Sequence, residues 1–306
     1  MKTNDNLYNA KVEKNDEFFT RYEDIEKELI NYKEHFKDKV VYCNCDIPFR
    51  SNFVKYFSDN FNDLKIKKLF ATSYRHNERG DFYEEDGVGM FPASGGLLKG
   101  NGSFDSPECV EILKKSDIIV TNPPFSLFKE YMSLLMKHNK KFLIIGNFNA
   151  ITFKEIFPLI KENKIWLGYA THNMWFTLPD GTEKNSSSCW FTNLPHDKRN
   201  KQIVLKQKYN PEKYPKYDNY NAIEVSRVKD IPMDYEDIMG VPISFIEKYN
   251  PDQFEILWQA SGNARVNAPS EIMQELGYII HDKDKGGCCV LNGETMYPRV
   301  FIRKKK

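Results

Sequence analysis

Residues 116–128, SDIIVTNPPFSLF, end an apolar run in an amide, two prolines and an aromatic ring. A residue before proline is driven into an extended conformation and each proline fixes its own φ, so Asn122-Pro123-Pro124 is a stiff elbow. Neither proline carries an N–H. The carbonyls there have no local donor, and Asn122 adds a side-chain acceptor and two donors. Such an elbow can receive an exocyclic amine such as adenine N6, with the Asn122 side-chain oxygen and the Pro123 carbonyl each accepting one N–H while Phe125 stacks on the ring. Holding both hydrogens turns the nitrogen lone pair towards an incoming methyl group, so transfer from S-adenosylmethionine needs positioning and electrostatics more than a strong base. The amine becomes cationic as it attacks. Two acceptors on its hydrogens therefore favour the transition state over the ground state. A base inside duplex DNA reaches such a pocket only when it is flipped out and stacked. The competing reading is a turn that merely ends a strand, because Asn-Pro and Pro-Pro are common loop dipeptides. Here a strand pattern comes directly before and a helix pattern directly after, the context the chemical reading requires.

The elements around the elbow alternate. The spacing of Ile25, Leu29 and Ile30 predicts a helix behind Thr20, a candidate N-cap. Strands are expected at Val40–Tyr42, over KIKKLFATSY, at Asp117–Thr121 and over KFLIIGN, and helices after CNCDIPFRS, from Ser106-Pro107-Glu108 to Lys115, and over LFKEYMSLLMKHNK. A long Gly-rich acidic loop is expected through Gly80, Gly87, Gly89, Gly95 and Gly96. Short, almost wholly apolar strands separated by helices predict an α/β fold with a parallel sheet covered on both faces. Ligands of such sheets sit outside the carboxyl ends of the strands, where the elbow lies.

Composition narrows the class. The 306 residues are 41% hydrophobic and 28% charged, which suits a globular protein of about two domains. No stretch approaches the ~20 apolar residues of a membrane helix and the N-terminus is too polar for a secretory signal, so a cytoplasmic protein with no membrane association is expected. The six cysteines form no CxxC pair and the six histidines no cluster; reduced thiols and no metal site are expected. A net charge of +1 excludes a uniformly basic coat but allows a local patch. The oligomeric state stays open, a monomer being the simplest form.

TNPPFS, with NDEFFTRYEDIEKEL, VVYCNCDIPFRSNF, NGSFDSPECVEILKKSDIIVTNPPFSLF, KFLIIGNFNAIT and IMGVPISFIEKYNPDQFEI, resembles the EcoRI-type adenine-specific DNA methyltransferases over nearly the full length. The resemblance implies a Rossmann-like methyltransferase sheet, S-adenosylmethionine as methyl donor, N6 of adenine in a specific double-stranded DNA sequence as target, and a place in restriction–modification. It implies a catalytic set of Asn122, Pro123, Pro124 and Phe125, with Asn122 also among the cofactor contacts. The cofactor loop of related enzymes reads like D-P-F-x-G-x-G; the match here is Asp46-Ile47-Pro48-Phe49-Arg50-Ser51-Asn52, with one added residue and no glycine. Asp46 and Phe49 carry over as cofactor contacts, against the alternative of an ordinary strand-to-helix turn. Phe19 and Thr20 resemble the segment that holds the methionine end. Asp105 stands where a carboxylate takes the cofactor adenine amine, or else helps cap the next helix. The strand ending ATSY lacks the acid that usually binds the ribose, and Thr72 and Ser73 stand in for it.

Cofactor segments first, elbow next and a long remainder last imply a cofactor-binding catalytic domain over 1–195 and a target-recognition region over 196–306. Strand-like stretches in 164–194 around Asp180-Gly181 predict an antiparallel hairpin that closes the first domain. Beyond it, Lys198, Arg199, Lys201, Lys206, Lys208 and Tyr209 are candidates for phosphate and sugar contacts, in a segment whose Tyr214, Tyr217 and Tyr220 either meet nucleic acid or pack. Three other functions compete: methylation of adenine in RNA, methylation of a protein glutamine amide, and DNA binding without catalysis.

Overall fold

The apolar runs at 40–44, 68–73, 118–121 and 141–147 become adjacent strands in a computed structural model that describes residues 19–87, 93–171, 174–178, 181–199 and 201–305. The chain divides into two compact units, Met1–Ala150 with Leu167–His196, and Ile151–Trp166 with Asp197–Lys306. Numbered along the chain, the first unit holds β1 (Phe19–Thr20), β2 (Val40–Asn44), β3 (Lys68–Ser73), β4 (Asp81–Glu85), β5 (Ala93–Leu97), β6 (Ile118–Thr121), β7 (Lys141–Asn147), β8 (Trp166–Thr171), β9 (Met174–Thr177), β10 (Glu183–Ser186) and β11 (Ser188–Thr192).

Eight of these form one mixed sheet in the order β5-β4-β3-β2-β6-β7-β11-β8. β3, β2, β6 and β7 run parallel, while β4, β5 and β11 join antiparallel. Central strands covered on both faces need apolar side chains throughout, which is why Val41, Tyr42, Cys43, Ile119 and Val120 are all fully buried. The helix Asn52–Asp59 starts where Ser51 Oγ accepts from Phe53 N at 3.0 Å, and Phe53 and Phe57 face the core with Trp190. Pro107–Lys115 starts with Ser106 Oγ accepting from Cys109 N at 3.3 Å and Pro107 in the first turn. Phe128–Lys137 follows a short 3-10 turn over Phe125–Leu127.

Two segments differ from the sequence expectation. Within the Gly-rich stretch after β3, Asp81–Glu85 and Ala93–Leu97 fold as β4 and β5 rather than as loop, while Gly89 lies outside the described residues. DFYEE alternates buried and half-buried positions along β4, and this period of two was masked by its acidic residues. Thr20 caps no helix: Arg21 occupies the N-cap of Tyr22–Leu29, and Thr20 belongs to β1, pairing with Phe176 in the separate three-stranded sheet β1-β9-β10. The hairpin in 164–194 joins β9 to β10 around Gly181, while Asp180 lies outside the described residues.

The second unit carries β12 (Ile223–Glu224), β13 (Met239–Pro242), β14 (Phe254–Ala260) and β17 (Arg299–Lys304) in the order β12-β13-β17-β14, and the two-stranded β15 (Val290–Leu291) and β16 (Glu294–Thr295). Tyr214, Tyr217 and Tyr220 are buried in it, and Tyr217 shares the buried Glu224 carboxylate with Arg299, whose Nε and Nη2 each stand 2.9 Å away. These tyrosines pack.

Candidate active site

β2 lies between β3 and β6, the carboxyl ends of the three strands share one edge of the large sheet, and the strand order turns from β3 on one side of β2 to β6 on the other. Where strand order reverses, the loops diverge and leave a crevice beyond the carboxyl ends. A cavity of about 710 Å3 lies there, walled by Cys45 to Asn52 in part, by Ser73 to Arg75, by Gly102 to Phe104, by Asn122, Pro124, Ser126 and Leu127, and by Phe19 and Thr20 of β1.

The loop after β2 turns without glycine. Cys45 takes the left-handed conformation (φ 82°), which costs a side-chain-bearing residue about 1–3 kcal/mol and persists only where its surroundings enforce it. Enforcement comes from β3: the amides of Cys45 and Asp46 donate to Thr72 O at 3.1 and 2.9 Å. Asp46 is thereby turned inward and buried, with Oδ1 accepting from Ser51 Oγ at 2.6 Å and Oδ2 standing 2.5 Å from Thr121 Oγ1. Burial pushes its carboxyl up to about 7, and hydrogen bonds to Ser51 and Thr121 oppose that rise.

On the β1 side, Thr20 O accepts from Asn52 Nδ2 at 2.8 Å, while Thr20 Oγ1 is buried with no hydrogen-bond partner. A buried hydroxyl left unpaired costs about 1–3 kcal/mol, so the cavity wall presents a polar group ready for a ligand. At the end of β3, Ser73 Oγ donates to Asp81 Oδ2 at 2.5 Å and Arg75 Nε to the same oxygen at 2.9 Å. Gly80 and Gly102 make room for this arrangement. A Cβ on Gly102 would lie 2.1 Å from Ser73 O, and one on Gly80 would lie 2.5 Å from it.

The cavity thus gathers Phe19, Thr20, Asp46, Ser73, Asn122 and Pro124 from segments more than a hundred residues apart. Other candidates stand elsewhere. Thr72 is fully buried beneath the wall, with its hydroxyl 2.7 Å from Tyr42 OH. Phe49 is 77% exposed and packs edge-on to Tyr83 rather than into the cavity. Asp105 is exposed and takes the Ser103 hydroxyl at 2.5 Å, while the following helix is capped by Ser106. Pro123 is buried, and Phe125 is half-buried with its ring 6.1 Å from Phe176 at 84°. In the second unit Lys201, Lys206 and Lys208 are exposed, Lys198 is half-buried, and the Tyr209 ring lies 4.6 Å from that of Tyr235. Arg199 differs from these: it is buried, its guanidinium 3.9 Å above the Trp166 ring. Stacked there, it is withdrawn from phosphate contact.

Asp81, Arg75, Asn52 and Thr121 are wall or second-layer residues that sequence reasoning missed. Asp81 faces Ser73 in the β3–β4 register, and only recognition of β4 as a strand would have found it. Among the described residues no group of three His, Cys, Asp or Glu side chains is placed to hold a metal ion, and no helix is long and apolar enough to cross a membrane.

The family model for "Adenine-specific methyltransferase EcoRI" matches residues 6–305. The chain is 44% identical to the type II methyltransferase M.EcoRI of Escherichia coli, across 99% of this chain and 98% of that protein. It is 37% identical to M.MgeORF184P of Mycoplasma genitalium, over 97% of this chain and 98% of the relative, and 37% identical to M.MpnI of Mycoplasma pneumoniae, over 97% of each. No solved structure matches it significantly. With its proline elbow set in a sheet-edge cavity and a match that runs nearly end to end, the chain belongs to the EcoRI adenine-specific methyltransferase family.

Proposed function

We propose that this protein transfers a methyl group from S-adenosylmethionine to N6 of adenine within a specific double-stranded DNA sequence, the target base being turned out of the helix into the cavity. Family membership supports the reaction class. The observation that carries the residue assignment is that Asn122 and Pro124 line one cavity with Thr20, Asp46 and Ser73, so amine acceptor and cofactor contacts share a single space.

The chain's own groups fit that cofactor. Thr20 Oγ1 is an unpaired buried hydroxyl, the acids Asp46 and Asp81 line the cavity and suit a cation bearing ribose hydroxyls, and Gly80 and Gly102 let the backbone pack closely against the Ser73 carbonyl at its edge. Bound there, S-adenosylmethionine supplies an electrophilic methyl on a positively charged sulfur. Asn122 and the Pro123 carbonyl accept the two N6 hydrogens and aim the nitrogen lone pair; Phe125, braced by Phe176, is assigned the stacking contact. We read the large sheet as Rossmann-like, the cofactor and catalytic part as residues 1–195, and 196–306 as the region that recognises DNA. In that region Lys198, Lys201, Lys206 and Lys208 meet phosphates beside Tyr209. A DNA substrate also places the protein in the cytoplasm.

Sequencing of DNA from a host expressing the chain, with modification-sensitive detection, tests the reading. N6-methyladenine confined to one short sequence is expected; its absence, or methyl groups on RNA or protein instead, overturns it.

A further inference from the structure

The Thr121 hydroxyl has one hydrogen and two oxygen neighbours, the Asn44 carbonyl and Asp46 Oδ2. A carbonyl and an ionised carboxylate both only accept, so the single Thr121 hydrogen cannot serve both contacts. Between Thr121 Oγ1 and Asp46 Oδ2, 2.5 Å apart, a hydrogen is then needed from the acid itself. The other carboxyl oxygen already takes the Ser51 proton, and Ser51 Oγ is in turn occupied by Phe53 N. Among the described residues no cation compensates Asp46: the titratable groups facing it are the Cys43 and Cys45 thiols and the Tyr131 phenol, all pushed up by burial and neutral. Arg75, in the same cavity wall, is held by Asp81, and Arg50 makes no hydrogen bond or ion pair to Asp46. A buried carboxyl with no cation beside it is driven towards its protonated form.

We propose that Asp46 is a neutral carboxylic acid in the free protein and becomes a carboxylate when the cationic methyl donor binds, so that binding releases a proton. The proton leaves Oδ2 for solvent, and the Thr121 hydrogen turns from the Asn44 carbonyl to the new carboxylate. Thr121 directly precedes Asn122, so the elbow feels the arrival of the cofactor through one hydroxyl. The inference rests on the methyl-transfer reading above, since it needs a cation in this cavity.

With burial pushing the acid up to about 7, affinity for the cation is expected to fall as pH drops through that value. A bound state that needs the carboxylate gains about fivefold in affinity from pH 6 to pH 7. The test is titration calorimetry of the whole chain with S-adenosylmethionine, without DNA, at pH 6 in buffers of low and high ionisation enthalpy, repeated at pH 7. Release of close to one proton at pH 6 and the fivefold gain are expected. Asp46→Asn should abolish both, keeping only what the ligand's own amine contributes; the wild-type measurement stands even if that variant does not fold. Saturable binding with the same heat in every buffer overturns the proton release and leaves the methyl-transfer reading intact. No saturable binding at either pH overturns both.

Discussion

Ser73 and Asp81 face one another across the antiparallel pairing of β3 and β4, and the Ser73 hydroxyl donates to the Asp81 carboxylate at 2.5 Å. Arg75 grips the same carboxylate, Nη2 standing 2.7 Å from Oδ1. The neighbouring strand thus places an acid, paired with a guanidinium, in the cavity wall beside the end of β3. Replacing it with Asp81→Ala removes a charged acceptor worth about 1.5–3 kcal/mol to a ligand hydroxyl, so the Kd for S-adenosylmethionine should rise by about 10- to 100-fold. Calorimetry reads this directly, and an unchanged Kd would remove Asp81 from the site.

The proposed methyl transfer assigns Asn122 to the amine that receives the methyl group. Asn122→Ala should lower the single-turnover rate of methylation by about 100- to 1,000-fold, the usual cost of losing one preorganised partner in the transition state. Cofactor affinity should change by no more than about twofold. Equal losses in rate and affinity would assign the side chain to cofactor binding alone.

Lys206 and Lys208 are exposed on alternate positions of an extended segment, whereas Arg199 is stacked on Trp166. The double change Lys206→Ala and Lys208→Ala should make the salt dependence of DNA binding shallower by about one to two units of slope. Arg199→Ala should leave that slope alone and lower the unfolding free energy by about 2 kcal/mol, through loss of a desolvated cation–π contact. A slope that responds to Arg199 and not to the lysines would reverse the assignment.

Gly102 and Gly181 share a left-handed conformation, φ 78° and 82°. An added Cβ would strike the Ser73 carbonyl at the first and meet nothing within 4 Å at the second. Gly181→Ala should cost about 1 kcal/mol, and Gly102→Ala about 2–4 kcal/mol together with weakened cofactor binding. Denaturant titration compares the two; equal losses would show that Gly102 is not a point of close approach.

What was legible in the text was whatever local rules govern: apolar runs for buried strands, Ser106 and Pro107 at a helix start, and a proline elbow at a strand end. Asn122 could be named because its proline neighbours restrict its backbone whatever the rest of the chain does. Asp81 could not, because its relation to Ser73 exists only once two strands are in register. The loop after β2 is hidden for a similar reason: its left-handed residue is Cys45, held by the Thr72 carbonyl, and no residue type announces that. In the Lys- and Tyr-rich segment, Tyr214, Tyr217 and Tyr220 are buried, and a tyrosine that packs is spelled like one that stacks on a base.

Thr20 reaches the cavity wall only because β1 pairs with β9, where its partner is Phe176. A nascent polypeptide that has already emerged through Pro124 still lacks that partner for about fifty residues of synthesis, or roughly 3–10 s at ordinary translation rates. The first residues of the site are thus the last to be secured. That wall of the cavity is closed only once the ribosome has made the hairpin, and a truncated product that stops at the elbow has Asn122 and Pro124 without the Thr20 side of the cavity.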